Sequence, residues 1–197
     1  MTTETVSLFL GLLAVVAELA TLTAIVLAVA GLFSPNLRAL GRQAVTAIGP
    51  SALPMAAIVA AVATGGSLYY SEVAHFPPCL LCWYQRIAMY PLVPLLGIAA
   101  FRRDTGVALY GTVIAALGVP ISIYHVLIER GIVKESTACD PTNPCSLIWV
   151  KELGYLTIPT MALSGFLLII TLLAMSRAGD RLDSSDDEPS RSEVHGY

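Results

Sequence analysis

Trp83-Tyr84-Gln85-Arg86-Ile87-Ala88-Met89-Tyr90-Pro91-Leu92-Val93-Pro94-Leu95-Leu96-Gly97-Ile98-Ala99-Ala100-Phe101 decides the fold. A helix needs ~20 mainly apolar residues to cross the hydrocarbon of a bilayer. This stretch is the shortest of the candidates in the chain, and it carries Pro91 and Pro94. It must nevertheless cross if the loops on either side are to fall on opposite faces. Prolines are tolerated in such helices where neighbouring helices and waters satisfy the freed carbonyls. Counting it, the predicted spans run at roughly 6–33, 44–70, 83–101, 107–128 and 155–175.

The composition agrees. Of 197 residues, 56% are hydrophobic and only 13% charged, and the mean hydropathy is +0.74. A soluble domain usually has about 25% charged residues. The expected class is therefore an all-α integral membrane protein surrounded by membrane lipid. A net charge of −3 with no basic stripe excludes a nucleic-acid partner. The first span lacks a basic leading region, is too long for the apolar core of a signal peptide and has no convincing cleavage site, so it reads as a retained helix. The organisation expected is an extra N-terminal helix and loop over 1–43, a four-helix core over 44–175, and a polar, disordered tail over 176–197.

Lysine and arginine placement sets the orientation. Arg38, Arg42, Arg102, Arg103, Arg177, Arg181 and Arg191 gather on one side, against Arg130, Lys134 and Lys151 on the other, with Arg86 at a helix edge. The N-terminus is then outside and the C-terminus inside. Both cysteine pairs, Cys79/Cys82 and Cys139/Cys145, fall on the outer side, where an oxidising environment lets dithiols cycle.

In Pro77-Pro78-Cys79-Leu80-Leu81-Cys82, the prolines suit the first helical position of the third span. The two cysteines would then occupy the first turn, where free N–H groups and the helix dipole favour a thiolate. Residues three and four apart share a helix face, so Cys79, Cys82 and Arg86 are expected to stack. An arginine at the membrane boundary is costly unless it is used. Arg86 would favour the Cys82 thiolate and could hold the oxygen of a quinone ring; lipid snorkelling is the plainer role.

Cys139-Asp140-Pro141-Thr142-Asn143-Pro144-Cys145 forms a tight loop that could bring its sulfurs within bonding range. It is either a structural clip or the pair that meets an external dithiol. A zinc site of four thiolates is the other possibility. Structural zinc sites rarely straddle a membrane boundary, however, and five residues separate Cys139 from Cys145. No metal is expected. His125, near the outer end of the fourth span, could bond a quinone carbonyl or carry a proton. His75 reads as a loop residue, and Glu18 as either a functional intramembrane carboxyl or one bonded to a neighbouring helix. Trp83, Tyr84, Tyr69 and Tyr70 fit an interfacial aromatic belt.

The run from Cys79 through Trp83-Tyr84-Gln85-Arg86 to Leu92 resembles the DsbB/BdbC family of disulfide-bond-formation membrane proteins, and especially its BdbC branch. The resemblance covers about residues 44–175. It implies a four-helix bundle that oxidises an extracytoplasmic, thioredoxin-like partner of the DsbA type and passes electrons to ubiquinone or menaquinone in the bacterial cytoplasmic membrane. It also implies roles: Cys82 contacts quinone together with Arg86, Gln85 and His125, Cys79 exchanges with the second pair, Cys139 takes the partner in a mixed disulfide, and Cys145 passes oxidation back to Cys79. A partner of that type sits near about −120 mV, so re-oxidising it calls for an electron sink such as quinone. The first span is extra relative to the four-helix core. The close spacing of Cys139 and Cys145 matches the BdbC type. A quinone reductase of the vitamin K epoxide reductase type shares the paired-cysteine logic, but the Trp-Tyr-Gln-Arg run argues against it. A membrane protein with merely structural disulfides is the remaining alternative.

Overall fold

A computed structural model describes residues 2–186. It is helical throughout: α1 (Thr3–Ala30), α2 (Pro35–Leu68), α3 (Leu80–Met89), α4 (Leu92–Arg102), α5 (Ala108–Glu129) and α6 (Ile158–Asp186), with a short π-helical turn at Tyr69–Val73 and a 3-10 turn at Thr105–Val107. The described residues contain no strand, only an isolated bridge between Glu152 and Leu156.

Four segments are long and apolar enough to cross a membrane: Thr3–Ala30, Pro35–Val73, Thr105–Glu129 and Ile158–Ser184. The chain is thus an integral membrane helical bundle. The third expected span is not a single helix but is divided between α3 and α4. Pro91 and Pro94 carry no N–H, so the carbonyls of Ile87 and Tyr90 lose their helical donors. The Val93 N–H turns to the Tyr90 carbonyl at 3.2 Å instead. Arg103, at φ 53°, then ends α4 in the left-handed conformation.

Two further boundaries differ from those expected. Of residues 34–43, read as a loop from Arg38 and Arg42, all but the N-cap Ser34 are the first turns of α2. Pro35 occupies the first helical position, where a missing N–H costs nothing. A tight turn at 31–34 suffices to reverse the chain. At the other end, residues 176–186 of the expected disordered tail continue α6 as helix. The rest of that expectation, on 187–197, lies outside the described residues.

The helix α6 packs against α2, α5 and α1, while α3 lies on α5 and α4 on α2. The main core gathers Leu53, Leu92, Leu96, Phe166, Ile169 and Leu173 among small alanines. Glycines allow the closest crossings. A Cβ on Gly118 of α5 would stand 2.3 Å from the Phe166 ring, so that ring lies directly on the α5 backbone. Gly49 of α2 and Gly179 of α6 meet backbone to backbone: a Cβ on Gly49 would come 3.4 Å from the Gly179 Cα. Small residues at such crossings let helices approach closely where apolar burial gives no drive.

The extra helix α1 buries one stripe, Ser7, Gly11, Ala14, Ala17 and Thr21, against α6 and α2. Many of its large apolar residues, among them Phe9, Leu12, Leu19 and Leu22, face outward. Tyr70 donates to the Ser7 hydroxyl at 3.2 Å. Glu18 receives Tyr155 Oη at 2.7 Å and lies 2.9 Å from Ser164 Oγ. The intramembrane carboxyl is therefore bonded to α6 and to the loop that precedes it.

Candidate functional site

The site forms where the C-terminal end of α5, the N-terminal end of α3 and the loop between α5 and α6 meet. The helix begins at Leu80, one residue past Cys79, and the expected placement of the prolines is corrected accordingly. Pro77 and Pro78 precede an extended Cys79 (φ −72°, ψ 174°) that serves as the N-cap. Residues ahead of a proline are pushed towards extended backbone, which keeps this approach straight. The Cys79 sulfur takes the capping role, accepting the Cys82 N–H at 3.3 Å.

The Cys79 and Cys82 sulfurs lie 2.8 Å apart. Both cysteines lie ahead of the stretch 83–101, the expected third span. In the reduced pair, the hydrogen bond from the Cys82 thiol holds Cys79 well below the ordinary thiol range, and His125 adds to the pull against the opposing effect of burial. Cys82 is pushed up, first by giving its proton to Cys79 and then by burial; the charge on Arg86 is a minor influence on it. The sequence reading had the helix start favour a thiolate at either cysteine and Arg86 favour that of Cys82; the contacts of Cys79 with the Cys82 N–H, the Cys82 sulfur and His125 favour the thiolate at Cys79.

His125 is buried, with Nε2 3.7 Å from the Cys79 sulfur and 3.0 Å from the Cys145 carbonyl oxygen. A carbonyl only accepts, so Nε2 carries the proton in that bond and presents it to Cys79 as well. Cys139 and Cys145 form a disulfide with Cα atoms 6.3 Å apart. Together with Cys79, Leu81 and Ile128 they make one buried cluster. The two cysteine pairs, read separately in the sequence, thus meet around His125.

Several further residues shape this meeting. Glu135 accepts the Cys145 N–H and the Ser146 hydroxyl at 2.9 Å. Asp140 accepts both the N–H and the hydroxyl of Thr142 at 2.8 Å, which holds its carboxyl below the usual range. Asn143 donates to the Pro77 carbonyl at 3.3 Å and ties the two cysteine loops together. Glu129 lines a small hollow with Cys79, Cys82 and His125. One of its oxygens is buried without a partner.

On its other side, Cys82 opens onto a cavity of about 320 Å³ that Gln85 and Arg86 also line. The Arg86 guanidinium is neither snorkelling nor free. It donates through Nε to the Ser67 hydroxyl and through a terminal nitrogen to the Ser67 carbonyl, both at 3.1 Å. It lies 5.2 Å from the Trp83 ring centroid and 5.9 Å from that of Tyr90. Gln85 is buried and donates to Ser122 at 3.0 Å. Trp83 and Tyr84 are exposed as an aromatic belt requires. Tyr70 departs from that belt: it is buried and stacked on Phe76, which stacks on Trp149. His75 lies in an exposed turn at φ 57°.

Cys79, Cys82 and His125 bring three donor atoms within 4.8 Å of one another. Two thiolates on one tetrahedral zinc, with bonds of about 2.3 Å, would stand about 3.8 Å apart. At 2.8 Å these sulfurs are too close for that arrangement and suit a pair that exchanges a bond.

Comparison with known proteins agrees with this chemistry. The family model described as "Disulfide bond formation protein DsbB" matches residues 49–176. The chain is 46% identical over 123 residues to Disulfide bond formation protein C of Bacillus subtilis, covering 60% of this chain and 86% of that protein. It is 44% identical over 134 residues to a probable disulfide formation protein of Deinococcus radiodurans, covering 64% and 88% of the two chains. A protein of the same description from Oceanobacillus iheyensis is 43% identical over 117 residues, covering 58% and 81%. No solved structure matches. A helical membrane bundle with two cysteine pairs converging on one histidine, and a family match spanning most of its length, place the chain in the DsbB family of disulfide-bond-formation membrane proteins.

Proposed function

We propose that the chain is a protein dithiol:quinone oxidoreductase. It oxidises a thioredoxin-like partner of the DsbA type outside the bacterial cytoplasmic membrane and delivers two electrons to quinone within it. The stretch 83–101, carried by α3 and α4, makes the remaining crossing: α5 starts where α4 ends and returns to place His125 beside Cys79. Both cysteine pairs then lie on the extracytoplasmic side. The observation that carries the reading is the position of the Cys79/Cys82 pair between the second pair and the cavity.

The exchange balances as a relay. A partner thiolate attacks Cys139, and the Cys139–Cys145 bond breaks. The released Cys145 thiolate attacks Cys79 and frees Cys82. The partner's second thiolate then closes the partner disulfide and frees Cys139. Cys139 re-forms its bond to Cys145, and Cys79 leaves as a thiolate. A low-pKa thiol is the faster leaving group, and the Cys82 thiol and His125 make Cys79 such a thiol.

A bound quinone would take up the two electrons of the reduced pair as the Cys79–Cys82 bond re-forms, with one proton from the Cys82 thiol and the second from solvent. The residues present fit such a group. Small-molecule sites are mainly apolar cavities of about 300–1,000 Å³ with a few fixed polar groups, and here those groups are Arg86 and Gln85 beside Cys82. Arg86 would hold a ring oxygen, pre-set by its two bonds to Ser67.

The test is quinone reduction by the purified full chain, with a reduced thioredoxin-like oxidase as donor. Turnover by the wild type, none by Cys82→Ala and a raised KM for quinone in Arg86→Ala are expected. If no dithiol drives quinone reduction and both pairs stay oxidised, the cysteines are structural.

A further inference from the structure

The family match begins at residue 49, so it leaves α1 without a role. Yet Leu10, Leu13, Ala14, Val16 and Ala17 of α1 line the same cavity as Cys82, Gln85 and Arg86. We propose that α1 is part of the electron-acceptor site, where it walls a channel that receives the first isoprenoid units of the quinone. This rests on the quinone reading above.

The direction of the channel follows from the helices that form it. Leu10 lies over Gly66 of α2, where a Cβ would come 2.8 Å from its Cδ1. The neighbouring Ser67 is the residue that holds Arg86. From Leu10 to Ala17, α1 advances about 10 Å along its axis. From Gly66 back to Ile58, α2, which runs antiparallel to α1, covers about 12 Å alongside it. Val62, Val59 and Ile58 line the cavity along that length. All the polar groups of the site are therefore at one end. The rest is a walled apolar passage leading away from Cys82. Its shape suits an amphipathic molecule whose polar ring meets Arg86 and Gln85 and whose branched hydrocarbon chain runs between α1 and α2.

The wall is fixed in place. Ser7 is bonded to Tyr70, Gly11 is packed on Glu152 with a would-be Cβ 3.3 Å from its Cβ, and Glu18 is bonded to Tyr155. Those three contacts pin α1 at successive heights along the passage. Without α1, the side of the cavity it walls would open to lipid. Ala14 and Ala17 give the passage its width, because both are buried with no side chain beyond Cβ.

The experiment uses the full-length protein in lipid nanodiscs and a quinone carrying a photoreactive diazirine on its first isoprenoid unit. Labelling within residues 10–17, competed by unmodified quinone, is expected. In steady-state assays, Ala14→Phe should raise the KM about tenfold for a long-tailed quinone while leaving kcat, and the KM for a tailless quinone, nearly unchanged, the signature of lost uniform binding. Should that variant not fold, the labelling of the wild type decides the matter. Wild-type quinone reduction with label only on α4 or α5, or with α1 label that quinone does not compete away, overturns the role of α1 and leaves the oxidoreductase reading standing. No quinone reduction by the wild type overturns both.

Discussion

The Nε2 of His125 stands 3.7 Å from the sulfur of Cys79, on the side facing the second cysteine pair. An ordinary thiol with a pKa of about 8.5 would be only about 0.3% ionised at pH 6. The reduced protein should nevertheless show ultraviolet thiolate absorbance there, and Cys79→Ser should abolish it. His125→Ala should shift the titration upward without removing it, because the Cys82 thiol is the larger influence. The sign for stability follows. The folded pKa of Cys79 is depressed, so its contribution to the reduced fold is complete above about pH 8.5 and is lost as pH falls towards the depressed value. Identical titrations for wild type and Cys79→Ser would place the thiolate elsewhere.

Arg86 grips the hydroxyl and the carbonyl of one residue, Ser67, with two of its nitrogens. A lysine has no planar fork with which to span both. Arg86→Lys should therefore raise the KM for quinone by about tenfold, and Ser67→Ala, which keeps the carbonyl, by about two- to fivefold. Steady-state kinetics with purified protein checks this. Full activity in Arg86→Lys would mean that only the charge matters.

Glu18 accepts the Tyr155 hydroxyl at 2.7 Å. Glu18→Ala should destabilise the protein in detergent by about 1–2 kcal/mol, and Tyr155→Phe by less, since it removes a single partner. A double-mutant cycle should give a coupling of about 0.5–1.5 kcal/mol. Strict additivity would show that the bond contributes nothing to holding α1.

Gly118 carries the Phe166 ring directly on its backbone. Gly118→Ala forces the ring or α6 to move and should cost about 1–3 kcal/mol. The same change in a Phe166→Leu background should cost clearly less. Equal costs in the two backgrounds, measured by denaturant unfolding, would refute the contact.

Much of this was legible in the sequence, and the residues show why. The long apolar stretches reveal helices because lipid demands them, and the Cys79–Arg86 run carries its chemistry in adjacent positions. Pro91 and Pro94 announced the weakness of the third span, but not that it divides into α3 and α4 with Tyr90 and Pro91 between them. The start of α2 was misread because Arg38 and Arg42 look like loop residues, whereas Pro35 starts a helix irrespective of the charges that follow. Tyr70 was assigned to the lipid surface because nothing local reveals Ser7, 63 residues away, as its partner. Ser67, Glu129 and Glu135 were missed for the same reason: they act through contacts between distant elements, and each is an ordinary residue in its own neighbourhood. His125 was singled out by its position near the end of a span, for a quinone carbonyl or a proton; it stands instead between Cys79 and the Cys145 carbonyl and does not line the cavity beside Cys82.

The backbone contact between Gly49 and Gly179 lies near the arginine-rich end of α2 and α6, far from the cysteines. The same two helices flank the apolar passage at the other end. Their crossing is close but not jammed: a methyl group at Gly49 would stand 3.4 Å from the Gly179 Cα, an ordinary contact, whereas a longer side chain would have to part the two helices there. The spacing of α2 and α6 is thus set by what these two positions lack.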